Sequence, residues 1–136
     1  MDEIFKISKD KERTKSLQEM AKERIEKIIP VLPKELPYKI IEEYYEVIVQ
    51  LITAIMYANG FKTLSHVSLI DYLAKNYKGF ESNEIRIVDT LRRVRHGTVY
   101  YGKKAEKEFL INNESAIKEI IEKLFLIIKK TDSTKT

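Results

Sequence analysis

Apolar side chains recur every three or four residues along most of the chain, with Lys, Glu and Arg between them. This spacing is typical of amphipathic α-helices, because residues three and four apart lie on one helix face. No segment shows the strict alternation over four to eight residues that a half-buried strand requires. We therefore predict an all-α fold, an up-and-down bundle of about five helices. The predicted helices cover about residues 10–29, 37–59, 64–73, 82–102 and 113–128.

Residues that start or stop helices set these limits. All three prolines lie between residues 30 and 37, and Pro37 suits the first turn of the second helix, where its missing N–H needs no partner. Gly60 and Gly102 are the expected ends of the second and fourth helices. The remaining predictions are N-caps, for which the candidates are Thr63 or Ser65, Ser82 or Asn83, and Asn112 or Asn113.

The chain has the size and composition of one globular domain. Its 136 residues suffice to bury a continuous core, and 43% of them are hydrophobic. The second predicted helix is apolar on nearly all sides in its second half, so we expect the other helices to pack around it. We predict a single domain over residues 1–136, with an ordered core from about residue 10 to residue 130.

Composition excludes several classes of protein. The absence of cysteine rules out disulfides, thiolate metal sites and cysteine nucleophiles, and is typical of a reducing compartment. The longest apolar stretch, residues 47–58, contains Gln50 and Thr53 and is too short to cross a bilayer, and the N-terminal residues lack the apolar core of a signal sequence. No motif indicates a metal or a cofactor. We expect a cytoplasmic protein without cofactor or membrane contact.

The fourth predicted helix carries the most informative sequence, LRRVRHGTVYYG at residues 91–102. At about 100° per residue, a buried face centred on Leu91 also includes Arg95 and Tyr101. An arginine in an apolar face needs an anionic partner, because an unpaired buried charge is costly. Arg95 either pairs with a carboxylate of the second helix or faces a cleft, within one chain or between two copies, and binds a phosphate oxygen there. The candidate carboxylates are Glu42, Glu43 and Glu46.

A polar stripe lies beside that face, because Arg92, His96 and Tyr100 follow one another at intervals of four residues. Imidazole titrates near neutral pH, so His96 is a candidate general acid or base for phosphodiester chemistry, with the arginines holding the phosphate. The alternative is a structural histidine. We expect His66, at the start of the third helix, to cap, pack or form a hydrogen bond and not to act in catalysis.

Tyrosines and charge leave two interpretations open. The pairs Tyr44–Tyr45 and Tyr100–Tyr101 either offer rings for base stacking beside the basic stripe or pack as ordinary aromatic side chains. The net charge of +4 permits a polyanionic partner, but Lys and Glu are interspersed, so charge alone does not require one.

Two stretches resemble the HEPN domain family, small helical-bundle proteins of bacteria and archaea that are often found in toxin–antitoxin and defence systems. Residues 44–76, YYEVIVQLITAIMYANGFKTLSHVSLIDYLAKN, resemble the family's second helix, its G-x-x-x-x-S-H connector ending at His66, and its third helix. Residues 91–102 resemble the signature of the fourth helix, an arginine followed by a polar residue and, a few positions later, a histidine. The similarity spans residues 10–130.

The resemblance implies a homodimer whose two signature helices meet at a basic cleft and, in active members, metal-independent RNA cleavage. Other members resemble partners of small nucleotidyltransferases that act as their antitoxins. The match assigns catalytic positions to Arg95, His96 and Tyr100, and nucleic-acid-binding positions to Arg92, Arg93 and Tyr101.

One departure from the signature bears on activity. If Arg95 matches the family arginine, His96 stands where a polar residue, often Asn, is usual, and Tyr100 stands where the catalytic histidine is expected. Tyrosine has a pKa of about 10 and is a poor proton acceptor at neutral pH. The alternative pairing of Arg92 with His96 has a shorter gap than the family's.

Three hypotheses follow. The first is a HEPN-like homodimer that binds RNA or a nucleotide in a basic cleft and has either a weak, metal-independent endoribonuclease activity or a degenerate, inactive site. The second is a non-catalytic HEPN partner of a small nucleotidyltransferase. The third is a helical bundle whose arginines are all paired internally and whose function lies elsewhere.

Overall fold

Five α-helices form most of the described chain and confirm the predicted all-α bundle. The computed structural model describes residues 3–104 and 107–133. A π-helical turn (Arg24–Ile28) and a 3₁₀ turn (Ile29–Val31) extend the first helix as far as the proline-containing loop. The helices are α1 (Lys11–Glu23), α2 (Pro37–Asn59), α3 (His66–Asn76), α4 (Ser82–Tyr101) and α5 (Lys107–Ser133).

Helix α2 is the centre of the bundle, as its apolar composition predicts. It contacts each of the other four helices. Twelve of its 23 residues are buried, and removing their apolar surface from water is a main source of stability for such a fold. The buried residues of α2 are Ile40, Ile41, Tyr44, Tyr45, Val47, Ile48, Leu51, Ile52, Ala54, Ile55, Met56 and Ala58.

Several helix ends follow the sequence predictions. Helix α2 starts at Pro37, and Gly60 ends it in the left-handed conformation with a φ of 84°. Gly102 ends α4 in the same way, with a φ of 66°. Ser65 is the N-cap of α3, because its side-chain oxygen accepts a hydrogen bond from the backbone N–H of Ser68 at 3.2 Å.

The start of α4 differs from the prediction. Its N-cap is Glu81, and neither Ser82 nor Asn83 takes that position. Glu81 and Glu84 form a capping box, in which the backbone N–H of Glu81 donates to the Glu84 carboxylate at 2.9 Å. The Ser-Asn pair is a stronger cap by residue preference alone, but the reciprocal bonds to Glu84 place the helix start one residue earlier.

Helix α5 also starts earlier than predicted. It begins at Lys107, so Asn112 and Asn113 lie inside the helix and do not cap it. The side chain of Asn113 donates to the backbone carbonyl of Phe109 at 2.8 Å, one turn earlier. Phe109 packs against the core, and this contact extends the apolar stripe of the helix into the charged segment that the sequence pattern assigns to a connector.

A short antiparallel ribbon, absent from the prediction, ties the N-terminal segment to the connector before α3. Its strands are β1 (Ile4–Lys6) and β2 (Phe61–Thr63). Three residues are too few to show strand alternation in a sequence. Next to the ribbon, the backbone N–H of Ile7 donates to the Gly60 carbonyl at 2.8 Å, and a Cβ at Gly60 would lie 2.9 Å from the Ile7 oxygen. The ribbon thus fixes the connector that leads into α3.

Among the described helices, none combines the length and the apolar character of a membrane span.

Candidate anion-binding site

The first half of α4 is buried in the bundle, and its second half is covered only in part, with Val94 still packed against the core. Leu91 is fully buried, as the predicted centre of the apolar face requires. The buried residues of α4 are Glu84, Val88 and Leu91, so none follows Leu91. Tyr101, predicted to lie on the buried face, is 71% exposed. That prediction is wrong because the neighbouring helices do not cover the last turns of α4.

Arg95 has an acidic partner on α2, as one of its two interpretations requires. Its Nη2 atom lies 3.5 Å from Oε2 of Glu46. A strong charge-assisted hydrogen bond is shorter, at about 2.7–2.9 Å. The side chains of Arg95 and Glu46 are 29% and 33% exposed, so the pair is loose and open to solvent. Glu43, another candidate, instead binds Arg24 at 2.8 Å.

Two further arginines of α4 share one carboxylate. The Nε atom of Arg92 lies 2.9 Å from Oδ1 of Asp89, and the Nε atom of Arg93 lies 3.0 Å from Oδ2. Each arginine uses only Nε in this contact. Their terminal Nη groups make no hydrogen bond to any residue in the described part of the chain. The donor groups that best fit a phosphate therefore remain available.

His66 lies half-buried at the first position of α3 and is oriented by α2. Its Nδ1 atom is 2.8 Å from the hydroxyl of Tyr45, and the two ring centroids are 5.6 Å apart. Tyr45 is almost fully buried. This contact confirms the expectation that His66 forms a hydrogen bond. The cap of α3 is its neighbour Ser65.

The pKa values of this pair are set by burial and by the arginines. Burial raises the pKa of Tyr45 to about 12, although the charges of Arg92 and Arg95 oppose the rise. Burial lowers the pKa of His66, and the charges of Arg95 and Arg92 lower it further, while Glu46 has the opposite effect. At neutral pH the phenol therefore keeps its proton and the imidazole is uncharged. A phenol that donates to Nδ1 leaves the imidazole proton on Nε2, and a phenol that accepts from Nδ1–H leaves Nε2 without a proton.

Most of these residues form one group of charges between α2, α3 and α4, and the more exposed Arg93 joins it from the outer side of α4 through Asp89; we call this group the arginine cluster. Three guanidinium groups face two carboxylates, which leaves one net positive charge while the histidine is neutral. The arrangement offers N–H donors to an anion. The arginine cluster consists of Arg92, Arg93, Arg95, Glu46 and Asp89, with the pair Tyr45 and His66 beside them.

The other predicted site residues form a separate aromatic group on the surface at the end of α4. The rings of His96 and Tyr100 lie 4.7 Å apart, and those of His96 and Tyr101 lie 5.8 Å apart. Tyr100 is 65% exposed. His96 has no hydrogen bond to a described residue, so no protein group orients its imidazole as a general base requires.

The adjacent tyrosines of α2, Tyr44 and Tyr45, belong to the core. Tyr44 and Tyr45 are both buried, so the interpretation of this pair as a base-stacking surface is wrong. The Tyr44 hydroxyl donates to the Glu114 carboxylate at 2.7 Å, across to α5. Both side chains are buried because α2 lies at the centre of the bundle, so their role is to pack the core.

Sequence reasoning did not assign Asp89 or His66 to the site, and it considered Tyr45 only as a ring for base stacking or core packing. The ion pairs of Asp89 could have been predicted from the sequence, because an acidic residue three and four positions before two arginines predicts such pairs on a helix. The contact between Tyr45 and His66 could not have been predicted in this way, because the two residues are 21 positions apart and lie on different helices. Within residues 3–104 and 107–133, no three His, Asp or Glu side chains lie close enough together to hold a metal ion.

Comparison of the chain with protein-family models, with curated proteins and with solved structures gives no significant match.

Proposed function

We propose that the chain binds the phosphate groups of RNA or of a nucleotide at the arginine cluster, as the HEPN resemblance implies. The observation that carries this proposal is the state of Arg95, whose ion pair is 3.5 Å long and partly exposed. Exposed ion pairs stabilise proteins by at most about 1 kcal/mol. A phosphate that approaches Arg95 therefore displaces Glu46 at little cost and gains shorter, charge-assisted hydrogen bonds.

The neighbouring arginines favour a chain of phosphates over a single anion. Arg93 is largely exposed and Arg92 is partly exposed, and at about 100° per residue they lie about 160° and 60° around α4 from Arg95, so the three guanidinium groups do not converge on one anion. Successive guanidinium groups along a helix suit the repeated phosphates of a nucleic-acid backbone. RNA is thus the preferred ligand class within this proposal.

A homodimer is part of the same proposal. Val99, Tyr100 and Tyr101 expose large apolar or aromatic side chains on the last turns of α4, next to the arginines. Exposed apolar surface of this kind is typical of interaction sites. Contact between two such surfaces brings two arginine clusters together, in the arrangement that the HEPN resemblance implies.

A second candidate function is that of a non-catalytic partner of a small nucleotidyltransferase. The environment of His96 favours it, because no residue of the described chain orients this imidazole and a tyrosine follows at the position expected for a catalytic histidine. In this case the exposed aromatic group at the end of α4 binds the partner protein. Co-purification with the product of a neighbouring gene tests this candidate, and loss of the partner from a Tyr100→Ser, Tyr101→Ser variant supports it.

The decisive experiment measures binding of a fluorescently labelled oligouridylate to the purified protein by anisotropy. Arg95→Gln is expected to weaken binding at least tenfold, which corresponds to about 1.4 kcal/mol. Arg13→Gln is the matched control, because Arg13 is exposed and also paired with a carboxylate, Asp10, but lies on α1 and contacts Tyr57 near the C-terminal end of α2. Equal loss in both variants, or no binding by the wild type, contradicts the proposal. Gel analysis of the same RNA after incubation reports whether any cleavage occurs.

A further inference from the structure

His66 and His96 differ in what holds them. His66 is half-buried, and its Nδ1 atom is fixed by the Tyr45 hydroxyl at 2.8 Å. His96 is exposed, and its ring lies beside those of Tyr100 and Tyr101 without a hydrogen bond to any residue in the described part of the chain. A histidine that recognises a ligand needs a fixed ring, because the direction of its free nitrogen depends on the bond made by the other one. Only His66 meets this requirement.

The bond to Tyr45 directs the second nitrogen of His66 outward. Nδ1 points at a phenol that is buried in the core of α2, and Nε2 lies on the opposite side of the ring. Nε2 has no hydrogen bond to any residue of the described chain. The ring is close enough to Arg92 and Arg95 for both charges to act on it. Nε2 is therefore an unused polar atom beside the proposed phosphate site.

Building on the proposed function, we propose that His66 contacts the bound phosphate through Nε2 and takes up a proton as the phosphate binds. The arginine cluster then holds phosphodiesters more tightly at acid pH than at alkaline pH. Tyr45 is a positioning residue in this scheme, since it orients the imidazole and does not contact the ligand.

The charges around His66 explain why the proton arrives with the ligand. From α2 it faces Tyr45 and Glu46, and from α4 it faces Arg92 and Arg95, with Asp89 bound to Arg92. In the free protein, burial and the two arginines disfavour a charged imidazole. A phosphate on the arginines compensates their charge and adds a negative charge of its own. Both effects favour the imidazolium.

Tyrosine is well suited to orient a histidine that changes charge. A phenol both donates and accepts hydrogen bonds. In the proposed scheme it donates to Nδ1 when His66 is neutral with its proton on Nε2, and it accepts from Nδ1–H when His66 is protonated. A backbone carbonyl accepts only, and a carboxylate would hold the imidazole in its charged form without a ligand. The bond to Tyr45 thus persists in both protonation states.

The sign of the pH effect follows from linkage. If the complex binds one more proton than the free protein, affinity increases as pH falls, by up to about tenfold per pH unit. This increase is confined to the interval between the pKa of His66 in the free protein and its higher pKa in the complex. At pH values outside that interval, His66 carries the same charge in the free protein and in the complex, so it no longer makes the affinity change with pH.

The test is the affinity for an oligouridylate without terminal phosphates, whose charge is constant between about pH 5.5 and 8, measured across that range in which histidine titrates. Wild-type protein is expected to bind more tightly by at least about threefold at the acid end, which is within one proton of linkage. His66→Asn is expected to remove this dependence, because asparagine retains a polar partner for Tyr45 but does not titrate. His96→Asn, the matched control, is expected to retain it.

A second measurement needs no variant at position 66. The chain has two histidines, so the His96→Asn protein gives a single imidazole resonance set for an NMR titration. The pKa of His66 is expected to rise when the oligouridylate is added. Tyr45→Phe is expected to broaden or shift the Nδ1 and Nε2 resonances, because the preference for one neutral tautomer is lost.

The outcomes separate this inference from the proposed function. Binding that depends on Arg95, with the same pH dependence in wild type and His66→Asn, overturns the role of His66 and leaves phosphate binding intact. A pH dependence that disappears in His96→Asn, or an unchanged His66 pKa in the complex, also overturns it. Absence of binding at every pH overturns both proposals together.

Discussion

The two halves of α4 differ in how completely their charged side chains are buried and paired. In the first half, Glu84 is 8% exposed, and its carboxylate accepts bonds from Lys123 Nζ at 2.8 and 2.9 Å and from the Glu81 N–H at 2.9 Å. In the second half, Arg95 lies 3.5 Å from Glu46, and both remain about one-third exposed. The first arrangement satisfies its groups inside the protein and holds the fold. The second leaves donors available for a ligand.

This contrast shows why an ion pair alone does not distinguish structure from function. Burial favours a satisfied pair, because an unpaired charge away from water is costly. The pKa of Glu84 reflects it: burial raises that pKa, but the bonds from Lys123 and Glu81 outweigh burial and lower it overall. For Arg95, solvent competes with Glu46, so the internal partner is replaceable. Substitutions in each half of α4 test this difference.

Glu84→Ala is expected to destabilise the protein by about 2 kcal/mol, because it removes the capping box and leaves the buried end of α4 without its acceptor. Urea denaturation measures the loss. Glu84→Gln is the control and is expected to lose less, since its amide oxygen still accepts from Glu81. RNA affinity of either folded variant should match the wild type. A stability change near zero for Glu84→Ala would contradict the structural role of this half.

Tyr45→Phe is expected to cost about 1 kcal/mol of unfolding free energy, because the half-buried Nδ1 of His66 loses its hydrogen-bond partner. Tyr57→Phe is a suitable comparison, since the Tyr57 hydroxyl also contacts one side chain, Arg13, but in an exposed setting. We expect a smaller loss there. Chemical denaturation of both variants measures the two losses in unfolding free energy. Equal losses would mean that the hydrogen bond to His66 stabilises the fold no more than the exposed bond to Arg13.

Arg95→Gln is expected to change the free energy of unfolding by at most about 0.5 kcal/mol, because a partly exposed, loose pair contributes little. The same variant is expected to bind RNA at least tenfold more weakly, about 1.4 kcal/mol. Thermal or urea denaturation of Arg95→Gln beside wild type tests the first half of this statement. A loss comparable to that of Glu84→Ala would identify Arg95 as a structural residue and remove the contrast between the two halves.

The pH dependence of stability gives the smallest expected effect. Because the folded-state pKa of His66 is lowered, the unfolded chain binds more protons once pH falls below about 6.5, the ordinary histidine value. His66 therefore makes the folded state less stable as pH falls from neutral through that range. Denaturation of wild type and His66→Asn should show a smaller acid loss in the variant. An identical loss would mean that the imidazole is not perturbed by burial and the arginines.

The sequence predicted the fold well where local rules decide it. The bundle, the central position of α2 and the glycine helix ends follow from hydrophobic spacing and backbone preference. The start of α4 did not, because its capping box has Glu81 at the N-cap in place of the usual Ser or Thr. The ribbon did not, because the pairing of β1 with β2 depends on tertiary structure.

The candidate site was predicted in part. The spacing of residues on α4 identified the arginines of the site. The need for an anionic partner of Arg95 pointed to the carboxylates of α2, and one of these candidates, Glu46, is that partner. It misplaced Tyr101, because periodicity gives the direction of a side chain and not the extent of the neighbouring helices. It also gave His66 no part in the chemistry, since its contact with Tyr45 depends on how α3 docks against α2.

The most direct test of the account compares Glu46→Gln with Arg95→Gln in oligouridylate binding at constant pH and salt. If Glu46 occupies the place of a phosphate beside Arg95, neutralising it should tighten binding by about threefold to tenfold, while Arg95→Gln weakens it at least tenfold. Opposite effects of two residues in one ion pair indicate competition between the carboxylate and the ligand. Weaker or unchanged binding by Glu46→Gln would show that the pair only maintains the structure, and would contradict the account.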